Sequence, residues 1–142
     1  MVTMDLVIVE LYKAFNEINK IIFENTLPQC MLTVQSTGKD INTLGWFTVC
    51  KVWVDEKEEQ WEINMVAEYL SRPYIEIMST LIHEMVHLEN ANNNIEDVKY
   101  GGYHNKKFAE SARKRGLIVE FYGRYGFAFT KLNEKTEKSL KD

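Results

Sequence analysis

Apolar side chains first recur on a helical period, at Ile8, Leu11, Tyr12, Phe15, Ile18 and Ile22. That spacing predicts an amphipathic helix of about five turns over roughly residues 5–24. Asn25-Thr26-Leu27-Pro28 should end it, because the residue before a proline is pushed out of the helical region. The period then shortens to two. Cys30 to Ser36 reads as a short strand closed by the turn signal Thr37-Gly38-Lys39-Asp40. Leu44 to Val54, rich in β-branched and aromatic residues, reads as a second strand. Its alternation sets Trp46, Thr48, Cys50, Val52 and Val54 against Phe47, Val49, Lys51 and Trp53. Neither set is cleanly polar, so both faces are expected to be at least partly covered. A charged turn, Asp55-Glu56-Lys57-Glu58-Glu59, precedes a third strand from Trp61 to Met65.

Helical spacing returns at Val66 to Leu70, and Ser71-Arg72-Pro73 then supplies a cap residue with proline in the first turn. The helix that follows should run from about Pro73 to Asn90, with Ile77, Met78, Leu81, Ile82, Met85 and Leu88 buried. Ala91-Asn92-Asn93-Asn94 stops it, and a polar loop leads to Gly101-Gly102. Residues 104–115 read as another helix on a stripe of Phe108, Ala109 and Ala112, capped by Gly116. Leu117 to Leu132, apolar, aromatic and broken by Gly123 and Gly126, suggests a hairpin or irregular strands. Residues 133–142 read as a charged, frayed tail. The pattern amounts to an α+β fold in a single domain over residues 1–132. It has an N-terminal helix, a three-stranded mostly antiparallel sheet, the long helix, a following helix and the C-terminal hairpin.

Composition narrows this picture. At 142 residues the chain can bury a core without disulfides or a structural metal. No run of about 18 apolar residues is present, so no membrane span is expected. Met1-Val2-Thr3-Met4-Asp5 lacks a basic stretch before an apolar one, which argues against a secretory signal and for a cytoplasmic location. Cys30 and Cys50 have no CxxC partner and are expected as buried, reduced thiols. Net charge is −4, but residues 1–98 carry a balance of −10 and residues 99–142 one of +6. The split reads either as an anion-facing end or as two halves that attract each other within one fold.

The chemistry is concentrated at His83-Glu84-Met85-Val86-His87, inside the long helix. Four residues advance a helix by about 400°, so the two imidazoles leave the same face one turn apart. That spacing closes on one zinc ion, and Glu84 between them is placed to take a proton from a water that the ion activates. The plainer reading is an amphipathic helix that happens to carry two histidines. A catalytic zinc needs three protein ligands. The metzincin pattern requires a histidine where Asn93 stands and is excluded. Glu110 is one candidate, and His104 the better one, since it is the remaining histidine and Gly101-Gly102 lets the backbone bring it close. A surface histidine in a loop is the bland alternative for His104.

At these residues the sequence resembles the SprT-like metalloproteases, the family that includes the Spartan proteases. The likeness is carried by Phe15-Asn16, Ile22-Phe23, Leu27-Pro28, Leu44-Gly45-Trp46-Phe47, Thr80 to His87, and His104-Asn105-Lys106-Lys107-Phe108. It implies a small zincin-type fold with one zinc per chain on His83, His87 and His104, and Glu84 as general base. Asn105 stands where the family usually has glycine. No cysteine follows Cys50, so the cysteine zinc ribbon that many members carry has no counterpart in these residues.

The activity so expected is that of a zinc endopeptidase acting on a protein or peptide, the substrate extended along the Leu44–Val54 strand. Tyr100, Tyr103 and Lys106 are candidate donors to the oxyanion, with aromatic packing and a solvated lysine as their plainer roles. Two other classes fit the same residues. One is a nucleic-acid-associated zinc module with little turnover; the other hydrolyses a non-peptide amide. For DNA the relevant stripe is Lys106 with Arg113 and Lys107 with Lys114, plus Arg115, charges that also suit a helix C-terminus.

Overall fold

A computed structural model describes residues 4–35, 45–53, 59–67, 70–99 and 101–141. The expected turns at 37–40 and 55–58 lie outside these residues, as does Tyr100. The first helix, α1, spans Met4–Ile21 and buries Leu11, Phe15 and Ile18. It stops short of the proline signal. Glu24 and Asn25 take φ values of 56° and 60°, and the Asn19 side chain bonds both the N–H and the carbonyl of Leu27. Asparagine turn chemistry therefore ends the helix before Pro28 can act.

Strands β1 (Cys30–Gln35), β2 (Gly45–Trp53) and β3 (Glu59–Val66) form a sheet in the order β1-β3-β2. β2 and β3 pair antiparallel, but β1 and β3 pair parallel, which corrects the expectation of a mostly antiparallel sheet. The β2–β3 connection is short and enforces an antiparallel pair. β3 then lies between the other two, so β1 meets the third strand instead of the second. As the central strand, β3 buries Ile63, Asn64, Met65 and Val66 on both of its faces. β2 is left at the edge, alongside the next helix. Of the expected helical stretch at 66–70, Val66 is instead the end of β3, the Leu70 N–H donates to the Ala67 carbonyl, and 68–69 lie outside the described residues.

Helix α2 spans Tyr74–Asn92 and starts at Pro73 without a side-chain cap. It is buried nearly all round: Met78, Leu81, Ile82, Met85, Val86 and Leu88 are core residues, and Ser79, Glu84, His87 and Asn90 are buried among them. The core is thus arranged around α2, with α1 and the sheet contributing from one side and Phe108, Ala109, Ala112, Leu117 and Leu132 completing it. Among the described residues no helix is long and apolar enough to cross a membrane. Cys30 is a buried free thiol, and burial pushes its pKa up to about 12. The Cys50 side chain lies outside the described part of the structure.

Past α2 the chain forms a small hairpin, β4 (Val98–Lys99) against β5 (Tyr103–His104), around Gly101 and Gly102. His104 therefore sits on a strand and does not begin the next helix. Helix α3 covers Lys106–Lys114, and the Asn105 side chain caps it by accepting from the Phe108 N–H. The C-terminal hairpin pairs β6 (Leu117–Glu120) with β7 (Phe129–Leu132).

The final segment is not a frayed tail: Glu134–Lys141 forms helix α4. Asn133 accepts from the Thr136 N–H, and the Thr136 hydroxyl donates to the Gly116 carbonyl. These bonds tie the helix to the turn after α3, and Thr136 is buried there. Gly116 has φ 92°, and a Cβ on it would stand 1.9 Å from the Thr136 hydroxyl, so the position requires glycine.

Candidate metal centre

His83 and His87 project from one face of α2, and β5 delivers His104 to the same point. The His87 Nε2 lies 3.3 Å from that of His83 and 3.2 Å from that of His104. All three ligand atoms fall within 4.8 Å of one another. Nitrogens held about 2.0–2.1 Å from a tetrahedral ion are about 3.3–3.4 Å apart, so the spacing suits a metal ion. Among the described residues these three form the cluster that could hold one. Glu110, the other ligand candidate, is exposed on α3 and takes no part.

The opposite ring nitrogens explain why the three Nε2 atoms point inward. His87 Nδ1 is 2.8 Å from Asp97 Oδ2, and His104 Nδ1 is 2.9 Å from the Gly102 carbonyl. A carboxylate and a carbonyl only accept, so both histidines carry the proton on Nδ1 and turn an Nε2 lone pair to the centre. His83 Nδ1 lies 2.8 Å from the Thr130 hydroxyl of β7, which can accept in the same sense. The lone pairs of His87 and His104, 3.2 Å apart, repel one another unless a cation lies between them.

The surroundings keep the ligands in the form that binds metal. Burial, then the neighbouring His87 and His104, pushes the His83 pKa well below the usual histidine value. Burial, followed by His87, also lowers His104. Neutral imidazole is the ligating state, so neither has a proton to lose near neutral pH. Phe108, fully buried, stacks on His87 with ring centroids 4.6 Å apart and contacts His83 and His104 at 4.8 Å each. Its ring is the floor that fixes all three imidazoles. Glu84 is buried beside them, and burial raises its carboxyl pKa to about 7, against the opposing effect of His87.

The β6–β7 hairpin braces this centre at two points, Thr130 on His83 and residues 126–127 on His104. The Phe127 N–H donates to the His104 carbonyl, and Gly126 bridges the same strand. A Cβ on Gly126 would stand 2.3 Å from that carbonyl, so the close approach depends on glycine.

Asp97, Asn90, Thr130 and the Gly102 carbonyl escape a reading of the sequence. Each acts through contacts to a histidine or to Asp97 that no local spacing announces. The one signal in the sequence is an acid, Asp97, in the loop ten residues after His87. Of the other expected site residues, Tyr103 packs its ring against Phe121 and Gly126, and Lys106 is exposed. Arg115 is withdrawn from the cationic stripe. It pairs with Glu89, donates to the Ile22 carbonyl and covers the Phe23 ring. Arg113 donates to the Val119 carbonyl and lies over Phe127. No family model, curated protein or solved structure matches this chain.

Proposed function

We propose that the chain is a zinc-dependent endopeptidase of the SprT-like kind, in which His83, His87 and His104 hold one zinc ion and Glu84 is the general base. The observation that carries the reading is the convergence of three imidazoles, two of them protonated on Nδ1, beside a buried glutamate. Nitrogen donors alone, at this spacing, favour zinc over the oxygen-seeking cations magnesium and calcium. Zinc held there supplies a Lewis acid for the substrate carbonyl and lowers the pKa of the attacking water towards about 7.

With the metal bound, Glu84 would take the proton from the attacking water and pass it to the leaving amine. Buried beside the histidines, the carboxylate is placed for both tasks. β2, at the sheet edge beside α2, offers an extended substrate a strand to pair with. Asp97 and Gly102 keep His87 and His104 in the required tautomer, and Thr130 holds the orientation of His83.

The nucleic-acid module draws its support from exposed Lys106, Lys107, Arg113 and Lys114, the stripe the sequence suggested less Arg115. Hydrolysis of a non-peptide amide would use the same ligands and glutamate. The test is cleavage of an unfolded protein by the zinc-loaded chain and by Glu84→Gln. The substitution should keep the metal and slow cleavage by about 10²–10⁴-fold, the usual contribution of general base catalysis. A zinc-loaded wild type inert towards every unfolded protein tried would remove the peptidase reading.

A further inference from the structure

Asn90 and Ser111 are polar groups that the proposed chemistry does not use, yet their bonds lead directly to a ligand. Asn90 lies three residues after His87, on the same side of α2, and is only 1% exposed. Its Nδ2 donates to Asp97 Oδ2 at 2.9 Å, the same oxygen that His87 Nδ1 meets at 2.8 Å. Its Oδ1 accepts from the Ser111 hydroxyl of α3, also at 2.9 Å. The Asp97 carboxylate, which only accepts, decides which way the amide faces, and the Ser111 hydroxyl holds the amide oxygen that this leaves towards α3. In the reversed orientation the Asn90 oxygen would confront a carboxylate oxygen inside the core, two acceptors with no proton between them.

From this geometry we infer that Asn90 and Ser111 are positioning residues of the metal centre, a relay Ser111–Asn90–Asp97–His87 that sets how firmly His87 binds. Resting on the metal reading of the histidine cluster, the relay extends the support of the ligands to a helix that carries none of them. Asp97 is held at both ends. The Asn105 N–H donates to its backbone carbonyl, and Asn90 fixes its carboxylate. Without the amide, Asp97 Oδ2 keeps one donor in place of two. The carboxylate is then free to swing, and the imidazole loses a fixed partner. Outer partners of this kind typically contribute about 10–100-fold to metal affinity.

The experiment measures zinc affinity by competition with a chromophoric chelator. It compares metal-free wild type, Asn90→Leu, Ser111→Ala and Ser111→Thr at a temperature where circular dichroism shows each folded. A loss of stability in a chain that stays folded leaves affinity untouched, so the readout separates positioning from packing. Asn90→Leu should weaken zinc by about 10-fold or more, and Ser111→Ala by a smaller factor. Ser111→Thr, which keeps the hydroxyl, should stay within about two-fold of wild type.

Cobalt loaded in place of zinc gives a second readout. Its absorption bands should shift in Ser111→Ala and not in Ser111→Thr. If Asn90→Leu does not fold, the serine pair decides. Equal zinc affinity in wild type and Ser111→Ala overturns the relay, as does a loss in Ser111→Thr as large as in Ser111→Ala. A wild type that takes up no zinc overturns the metal reading itself and the relay with it.

Discussion

Two helices flank the histidine cluster and are built on opposite terms. α2 buries Ser79, Glu84, His87 and Asn90 among its core residues, where water cannot compensate for a missing partner. His87 meets Asp97, and Asn90 meets both Asp97 and Ser111. Glu84 meets its burial by holding a proton more tightly. α3 instead buries Phe108, Ala109 and Ala112 and turns Lys106, Lys107, Glu110 and Lys114 to solvent. The difference between the two helices shows where chemistry can be read from cost. A buried polar group without local justification marks function, whereas a solvated charge of the same type marks little.

The largest expected effect that sharpens this contrast is on the stability of the metal-free protein. Glu84 titrates at about 7 in the fold against an ordinary value of 4.5. Because the folded value is the higher one, its contribution is fully present below pH 4.5 and is lost as pH rises towards 7. Glu84→Gln mimics the protonated form. It should therefore match wild type near pH 4 and become the more stable protein as pH rises, levelling off above about pH 7 at about 3 kcal/mol. The lowered histidines act in the opposite sense but are common to both proteins and cancel in the difference. Denaturant melts across that pH range check it, and a difference that does not change with pH would show that Glu84 is not strained by burial.

Next comes the ligand's partner. Asp97→Asn removes the charge that faces His87 Nδ1 and should weaken zinc about 10–100-fold, or about 1.4–2.7 kcal/mol. Chelator competition on folded protein reads this directly. An unchanged affinity would mean that the carboxylate does not orient the imidazole.

Smallest of all is the effect on α3. The triple substitution of Lys106, Lys107 and Lys114 by Ala should leave stability within about 0.5 kcal/mol, as for other solvated surface changes. If the same lysines hold a phosphate backbone, the log–log salt slope of DNA affinity should shrink by about 0.9 for each phosphate that the variant no longer neutralises. An identical slope in both proteins would leave the stripe as solvated surface. A large loss of stability would break the comparison from the other side.

The same contrast governs what was legible in the sequence. His83, Glu84 and His87 announce themselves because four residues make one helical turn, a relation held within a single element. His104 was reachable by elimination, though its placement on β5 was not. Two strand residues after a double-glycine turn look no different from the start of a helix. The parallel β1–β3 pair depends on which strand takes the centre, a choice that alternation within each strand does not encode. Tail and helix α4 were confused because charge dominates residues 133–142, while the determinants are two hydrogen bonds to Gly116, seventeen and twenty residues away. Asp97, Thr130, Asn90 and Ser111 belong to the same class: ordinary polar residues given their roles by tertiary packing.

The central claim is that three imidazoles make one metal site, and a zinc titration of metal-free protein against a chromophoric chelator tests it most directly. Wild type should take up one equivalent, and His104→Ala, folded by circular dichroism, should bind more weakly by a larger factor than Asp97→Asn. A wild type that takes up no zinc, or a His104→Ala protein that binds a full equivalent with unchanged affinity, would contradict the account. In the second case Glu110 would be the next ligand to test.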